Sequence, residues 1–274
     1  MAIQLADYQI EALHKMKNGC ILCGGVGSGK SRTSLAYYYL QNGGDMESIR
    51  GRDYSTMCEN PQDLYIITTA KKRDSLEWEA EFPQFLFNKD RDISIYNHNI
   101  VVDSWNNISK YKSVQNAFFI FDEQRVVGSG QWVKSFLKIA KKNKWILLSA
   151  TPGDTWSDYI PVFIANGFYK TKTEFNNDHI IFARFVSYPK IDRFINTGRL
   201  IRLRNSILIT MDFERKTVRH KETIYVDYDT AKYKELIRNR WNPWEDRPIE
   251  SPSEFCYSLR KIVNSDPSRL YQLC

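Results

Sequence analysis

Eight consecutive residues, Gly24-Gly25-Val26-Gly27-Ser28-Gly29-Lys30-Ser31, fit the pattern G-x-x-x-x-G-K-[ST] without mismatch. The chemistry of that pattern is phosphate capture. Its glycines let the backbone wrap an anion at close range, with amide N–H groups turned inward. Lys30 supplies a cation for the β- and γ-phosphates of a nucleotide, and the Ser31 hydroxyl supplies a ligand for Mg²⁺. A short apolar strand, Cys20–Cys23, enters the loop, and a helix, Ser31–Leu40 with Arg32 in its first turn, leaves it, so bound phosphates would sit at a helix N-terminus.

A second group lies 92 residues beyond Lys30, where the apolar run Ala117–Phe121 ends in Asp122 and Glu123. Ligands bind at the C-terminal ends of parallel strands. Asp122 is expected to hold Mg²⁺, directly or through water, and Glu123 to orient and polarise an attacking water. The next strand ends in Ser149-Ala150-Thr151-Pro152, and the hydroxyls of Ser149 and Thr151 are placed to bond the acidic motif and sense the γ-phosphate. Cys20 and Cys23 form a C-x-x-C with no second pair or nearby histidine, which reads as strand under the loop rather than as a metal site. His14, His98, His179 and His220 are scattered and receive no chemical role.

These residues need a scaffold, and the first 170 or so positions supply one. Helices are expected over Leu5–Met16, Ser31–Leu40, Ser75–Phe82 and Gln131–Lys142, and further strands over Leu64–Thr68, Ile100–Val102, Phe118–Phe121 and Trp145–Ser149. Strands that are apolar throughout and separated by helices predict a mainly parallel α/β sheet covered on both faces. Past residue 168 the alternation weakens. A strand is expected over Thr223–Val226, and helices over Ala231–Arg240 and Ser253–Val263 flank a Pro-rich loop. The expected division is therefore residues 1–168 and 169–274.

The 274 residues carry a net charge of +7, and residues 184–221 alone hold ten Lys/Arg against three Asp/Glu. A concentrated basic stretch is the electrostatic footprint of a polyanion partner, though the same charges would also suit a solvated face. No segment has the apolar length of a membrane span, and the N-terminus lacks a secretion signal. Five cysteines without framework spacing suit free thiols in a reducing compartment, so the cytoplasm is expected, a host's if the chain is viral.

Together, GGVGSGKS, FDEQ and SATP resemble motifs I, II and III of superfamily-two helicases and translocases. The upstream Leu5-Ala6-Asp7-Tyr8-Gln9 looks like that group's L-x-x-Y-Q segment, which implies a RecA-like domain, ATP as the nucleotide, and Tyr8 and Gln9 at the adenine. Ile66–Lys71 with Trp78-x-x-Glu81 resembles motif Ia of the Swi/Snf-type branch, without that branch's proline, and Val101–Trp105 resembles motif Ib. Both imply phosphate contact with nucleic acid, DNA in preference to RNA; Trp78 itself reads first as a core anchor. Thr155–Tyr159 with Phe163 resembles the segment after motif III, and the later basic run resembles the bridge toward a second motor domain. Phage-encoded helicases of this branch resemble the chain best. Gln124, third in motif II, departs from both the DEAD-box and DEAH-box patterns. The resemblance also implies a second RecA-like domain, in cis or in trans, bearing a Q-x-x-G-R-x-x-R motif. The 274 residues hold no such pattern; Arg199, Arg202 and Arg204 lie in GRLIRLR. The chain alone is thus expected to bind ATP and hydrolyse it slowly. Two other readings stay open: the ATPase of a viral DNA-packaging motor, and a non-hydrolysing scaffold that binds DNA and nucleotide.

Overall fold

The apolar runs do form strands: β1 (Ile21–Cys23), β2 (Leu64–Thr68), β3 (Ile100–Ser104), β4 (Phe118–Asp122) and β5 (Lys144–Ser149). The computed structural model describes residues 4–45, 57, 60–90, 96–123, 126–184, 188–213 and 227–267. Beyond β5 come β6 (Ile180–Phe182), β7 (Ile191–Phe194) and β8 (Leu208–Thr210). The central sheet has six strands in the order β3-β2-β4-β5-β1-β8, every pairing parallel. β6 and β7 pair separately as an antiparallel hairpin.

Each central strand is apolar on both faces because each face has its own core. Phe118 and Ile120 of β4 point to one side with Leu22, Ile66, Ile146 and Leu148, and pack against Leu35 and Tyr38. Phe119 and Phe121 point to the other, with Ile21, Ile67 and Leu147, and pack against Phe136 and Phe163. The helices that deliver these covers are α1 (Asp7–Lys15), α2 (Lys30–Gln41), α4 (Gln131–Ala140), α5 (Ile160–Ala165), α6 (Lys172–His179) and α7 (Thr197–Ile207), whereas α3 (Ala70–Asp74) buries no residue. Two-sided burial is what removes the hydrophobic–polar alternation from the strands.

The helix expected over Ser75–Phe82 is not formed as such. α3 ends earlier, at Asp74, and Leu76 takes a left-handed conformation (φ 55°) that breaks the helical path. The chain resumes as a 3-10 segment, Glu79–Phe85, with Pro83 inside it. Tertiary contacts override the local pattern here: Trp78 and Phe82 are drawn into the core.

The segment after residue 168 contributes to the central sheet. By internal packing the chain separates into Met1–Glu214 and Arg215–Cys274. The reason is β8, which lies inside the segment read as an extension yet pairs with β1 in the central sheet. GRLIRLR falls within α7, which buries Leu200 and Ile207 and helps carry the chain into that strand. The second unit holds α8 (Thr230–Asn239), a short pair β9 (Trp241–Asn242) and β10 (Arg247–Pro248), and α9 (Pro252–Asn264). Within it, Lys232 and Lys261 both lie over the Trp244 ring, at 5.7 and 4.2 Å. The strand expected at Thr223–Val226, and Gln124, lie outside the described residues. Among the described residues no helix is long and apolar enough to cross a membrane.

Candidate nucleotide-binding site

Parallel register brings the strand ends that matter to one edge: Cys23 is level with Ser149, and Asp122 with Leu148. A cleft of about 780 Å³ opens there, lined by Tyr8, Gln9, the loop residues Val26, Gly27, Gly29, Lys30 and Ser31, then Arg32, Lys72, Glu77, Glu81, Asp122, Glu123 and Ala150. The loop's backbone has the conformation its composition predicts. Gly27 and Gly29 have φ of 84° and 76°, a region that a side chain would strain. A Cβ built at Gly25 or Gly27 would have no protein atom within 4 Å, so the loop is open on that side. α2 starts at Lys30, and the N–H groups of its first turn have no intrahelical partner to satisfy.

Lys30 extends over its own loop and donates to the carbonyls of Gly24 and Gly25 at 2.7 and 2.9 Å. Burial lowers its pKa from the ordinary lysine value, and the charges of Glu123 and Asp122 partly oppose that. The Ser28 carbonyl accepts from Tyr8 Oη at 3.2 Å and Gln9 Nε2 at 3.1 Å. Gln9 Oε1 accepts from the Ala6 N–H at 2.9 Å, and the side chain is buried against Gly29, where any Cβ would meet Nε2 at 2.1 Å. Gln9 therefore supports the loop first. Its amide keeps a second N–H and a second lone pair for a base edge.

The acidic motif is held by residues that sequence reasoning did not place there. Asp122 Oδ2 accepts from Thr68 Oγ1 (2.8 Å), Lys72 Nζ (3.0 Å) and Trp78 Nε1 (3.2 Å), and the Asp122 carbonyl accepts from Trp105 Nε1 at 2.8 Å. All three carboxylate donors among the described residues fall on one oxygen, which fixes the plane of the carboxylate and leaves Oδ1 for another ligand. Glu123 sits at φ 58°, a strained conformation for a non-glycine residue, and its Oε1 accepts from Lys72 at 3.2 Å. The two acids outweigh the desolvation that would lower Lys72, and its pKa lies above the ordinary lysine value. Arg32 does not point free into the cleft but pairs with Glu81, Nε to Oε2 at 2.8 Å. The Trp78-x-x-Glu81 spacing thus has two ends, one on the acidic motif and one on the helix after the phosphate loop. Trp78 is a core anchor, 1% exposed, and a hydrogen-bond donor at once.

Ser149 and Thr151 behave differently from expectation. The Ser149 hydroxyl accepts from the Thr151 N–H at 3.1 Å, and the Ser149 carbonyl accepts from Gly24 N–H at 3.3 Å. This strand end braces the phosphate loop; the bonds to the Asp122 carboxylate come from β2 and the segment after it. Cys20 is buried beneath the loop, where burial pushes its thiol up to about 11.

An oxygen donor set suits a hard divalent ion. Ser31 and Asp122 line the same cleft. Among the described residues no group of three His, Cys, Asp or Glu could hold a metal unaided, so most ligands would come from phosphate and water. These residues fit magnesium carried with a nucleotide.

At the end of β3, Asp103 takes bonds from Asn107 (2.8 Å), Tyr111 Oη (2.6 Å), the Ser104 N–H (2.7 Å) and Arg73 (3.4 Å). Burial would raise its pKa, but these donors outweigh it and hold the carboxyl below its ordinary value of 3.8. A depressed carboxyl stabilises the fold above the unfolded pKa, and that contribution is lost as pH falls through the folded value. The melting-temperature gap between wild type and Asp103→Asn should therefore be widest at neutral pH and close as pH drops below about 4. A gap that stays constant in thermal melts across that range would show that the network does not act through the charge.

No family model matches the chain, and no curated protein matches it by sequence. Among solved structures, the Sulfolobus solfataricus SWI2/SNF2 ATPase core in complex with dsDNA matches with a TM-score of 0.54 and 17% identity, over 97% of this chain and 59% of that one. The Sulfolobus solfataricus SWI2/SNF2 ATPase core domain matches at 0.49 and 16%, over 94% and 55%. The Pyrococcus furiosus Hef helicase domain matches at 0.41 and 15%, over 67% and 43%. The first of these shows the fold: a RecA-like α/β domain. The chain spans 59% of the length of that structure.

Proposed function

We propose that the chain is the ATP-binding motor domain of a DNA-dependent ATPase, a helicase or translocase of the Swi/Snf-type branch. One observation carries the proposal: the phosphate loop with Lys30, and the acidic pair Asp122 and Glu123, come from distant parts of the chain to line a single cleft at the C-terminal edge of a parallel sheet. The loop's amides and Lys30 hold the phosphates of ATP. Ser31 and Asp122 hold Mg²⁺, which when bound supplies positive charge at the reacting phosphates. Glu123 orients a water and takes its proton. Tyr8 and Gln9, both bonded to the Ser28 carbonyl, would meet the base.

A nucleic-acid partner is favoured by the charge of residues 184–221 and by the resemblance of Ile66–Lys71 and Val101–Trp105 to backbone-contacting motifs, and DNA over RNA rests on the family resemblance. Contacts of that kind position a protein without reading sequence. A second RecA-like domain, from the same polypeptide or another, supplies the arginine that the Q-x-x-G-R-x-x-R pattern would carry. The expected result for the purified chain at low salt is slow ATP turnover that rises when duplex or single-stranded DNA is added. Turnover indifferent to both nucleic acids would remove the motor reading and leave a nucleotide-binding scaffold.

A further inference from the structure

Resting on the ATP and magnesium reading above, we infer that Lys72 is a built-in counter-cation of the acidic pair, and that it sets how strongly a divalent ion is drawn to this site. Lys72 is a positioning residue in this role, acting through Asp122 and Glu123.

The placement of its ammonium is built, not incidental. α3 begins directly after β2, and the Thr69 hydroxyl caps it by accepting the Lys72 N–H at 3.3 Å. From that first turn, Lys72 Nζ reaches Asp122 Oδ2 at 3.0 Å and Glu123 Oε1 at 3.2 Å. The Asp122 side chain is 2% exposed and that of Lys72 25%, so water screens their interaction weakly. Thr68 and Trp78 share the same carboxylate oxygen, but both are neutral donors. The other cations near the cleft are engaged elsewhere. Lys30 donates to the Gly24 and Gly25 carbonyls, Arg32 pairs with Glu81, and Arg73 pairs with Asp74 and Asp103. Among the described residues, Lys72 is therefore the cation in direct ion-pair contact with both acids, while Lys30 acts on them only at a distance.

Two consequences follow. The pair offers a divalent ion one net negative charge rather than two. An ion ligated by Asp122 would also lie within a few ångströms of a fixed like charge, in a poorly screened site. Removing the ammonium should strengthen metal binding, while Thr68 and Trp78 still hold the carboxylate plane. The opposite outcome would arise if Lys72 served only to orient the acids, because its loss would then weaken the metal site.

The experiment measures ADP affinity calorimetrically on the full chain, once in chelator and once in saturating Mg²⁺. The ratio of the two affinities is the coupling between nucleotide and metal. For Lys72→Met the ratio should rise about tenfold through tighter binding in Mg²⁺, with affinity in chelator within about twofold of wild type. Lys72→Arg keeps the charge and should keep the wild-type ratio. Lys72→Gln keeps a donor without charge and should behave like the methionine variant; thermal melts confirm that each variant is folded. A ratio unchanged or lowered in Lys72→Met, or a glutamine variant that matches wild type, overturns the inference and leaves the ATP reading intact. Wild-type chain that binds no ADP in either medium overturns both.

Discussion

Glu123→Gln is expected to leave ATP affinity within about twofold of wild type and to lower turnover by roughly 10²–10⁴-fold, the usual contribution of a positioned general base. Glutamine is isosteric with glutamate, so the cleft keeps its shape, but the amide cannot accept a proton from water. The backbone supports the assignment. Glu123 follows the last residue of β4 at φ 58°, a strained conformation that turns the chain sharply at the sheet edge. Its side chain is 43% exposed and lines the cleft, whereas that of Asp122 is 2% exposed and held by three donors. Two adjacent acids thus have different surroundings: Asp122 is buried and held by three donors, while Glu123 is partly exposed and held by Lys72 alone among the described residues. The substitution also removes the Lys72–Glu123 ion pair, but Glu123 is partly exposed and such pairs contribute little. Turnover and nucleotide binding measured in parallel check the prediction. Equal loss of both would mean that Glu123 shapes the site instead of acting on water.

The parts of this site that were legible in the sequence are those whose chemistry is local. A phosphate loop needs consecutive glycines, a lysine and a hydroxyl, so GGVGSGKS announces itself, and its flanking strand and helix form where the apolar pattern places them. The acidic pair is legible because it ends an apolar strand. The collar around it was not, because Thr68, Lys72, Trp78 and Trp105 meet Asp122 only after β2, β3 and β4 pair in register. Trp78 illustrates the difficulty. Its burial was readable from its type, but its indole N–H finds a partner 44 positions away. The pairing of the segment after residue 168 was illegible for a related reason. A basic, aromatic segment hides β8, whose three residues carry no periodicity and are recognisable as strand only by pairing with β1. Single-sequence patterns report which face an element buries, and they say little about which strands become neighbours.

The other large effect is expected at Lys30. Lys30→Ala should weaken ATP binding by on the order of a hundredfold or more, since truncating one partner of a buried, hydrogen-bonded charge pair costs about 2–5 kcal/mol. The structure shows why no neighbour can take its place. Arg32 is two residues away but committed to Glu81, and Lys72 is committed to the acids. Lys30 itself is held by two loop carbonyls, neutral acceptors that give up an ammonium more readily than a carboxylate does, so its contacts in the loop are compatible with transfer to phosphate. Burial lowers its pKa, and an arriving polyphosphate would favour the protonated form. The loss should also depend on the number of phosphates: large for ATP and ADP, and small for AMP, if the ammonium serves the β- and γ-positions. Equilibrium binding of the three nucleotides to wild type and Lys30→Ala tests this directly. Equal losses for all three would mean that the alanine collapses the loop, because the two carbonyls at Gly24 and Gly25 lose their donor, and that the lysine's part is to hold the cradle open.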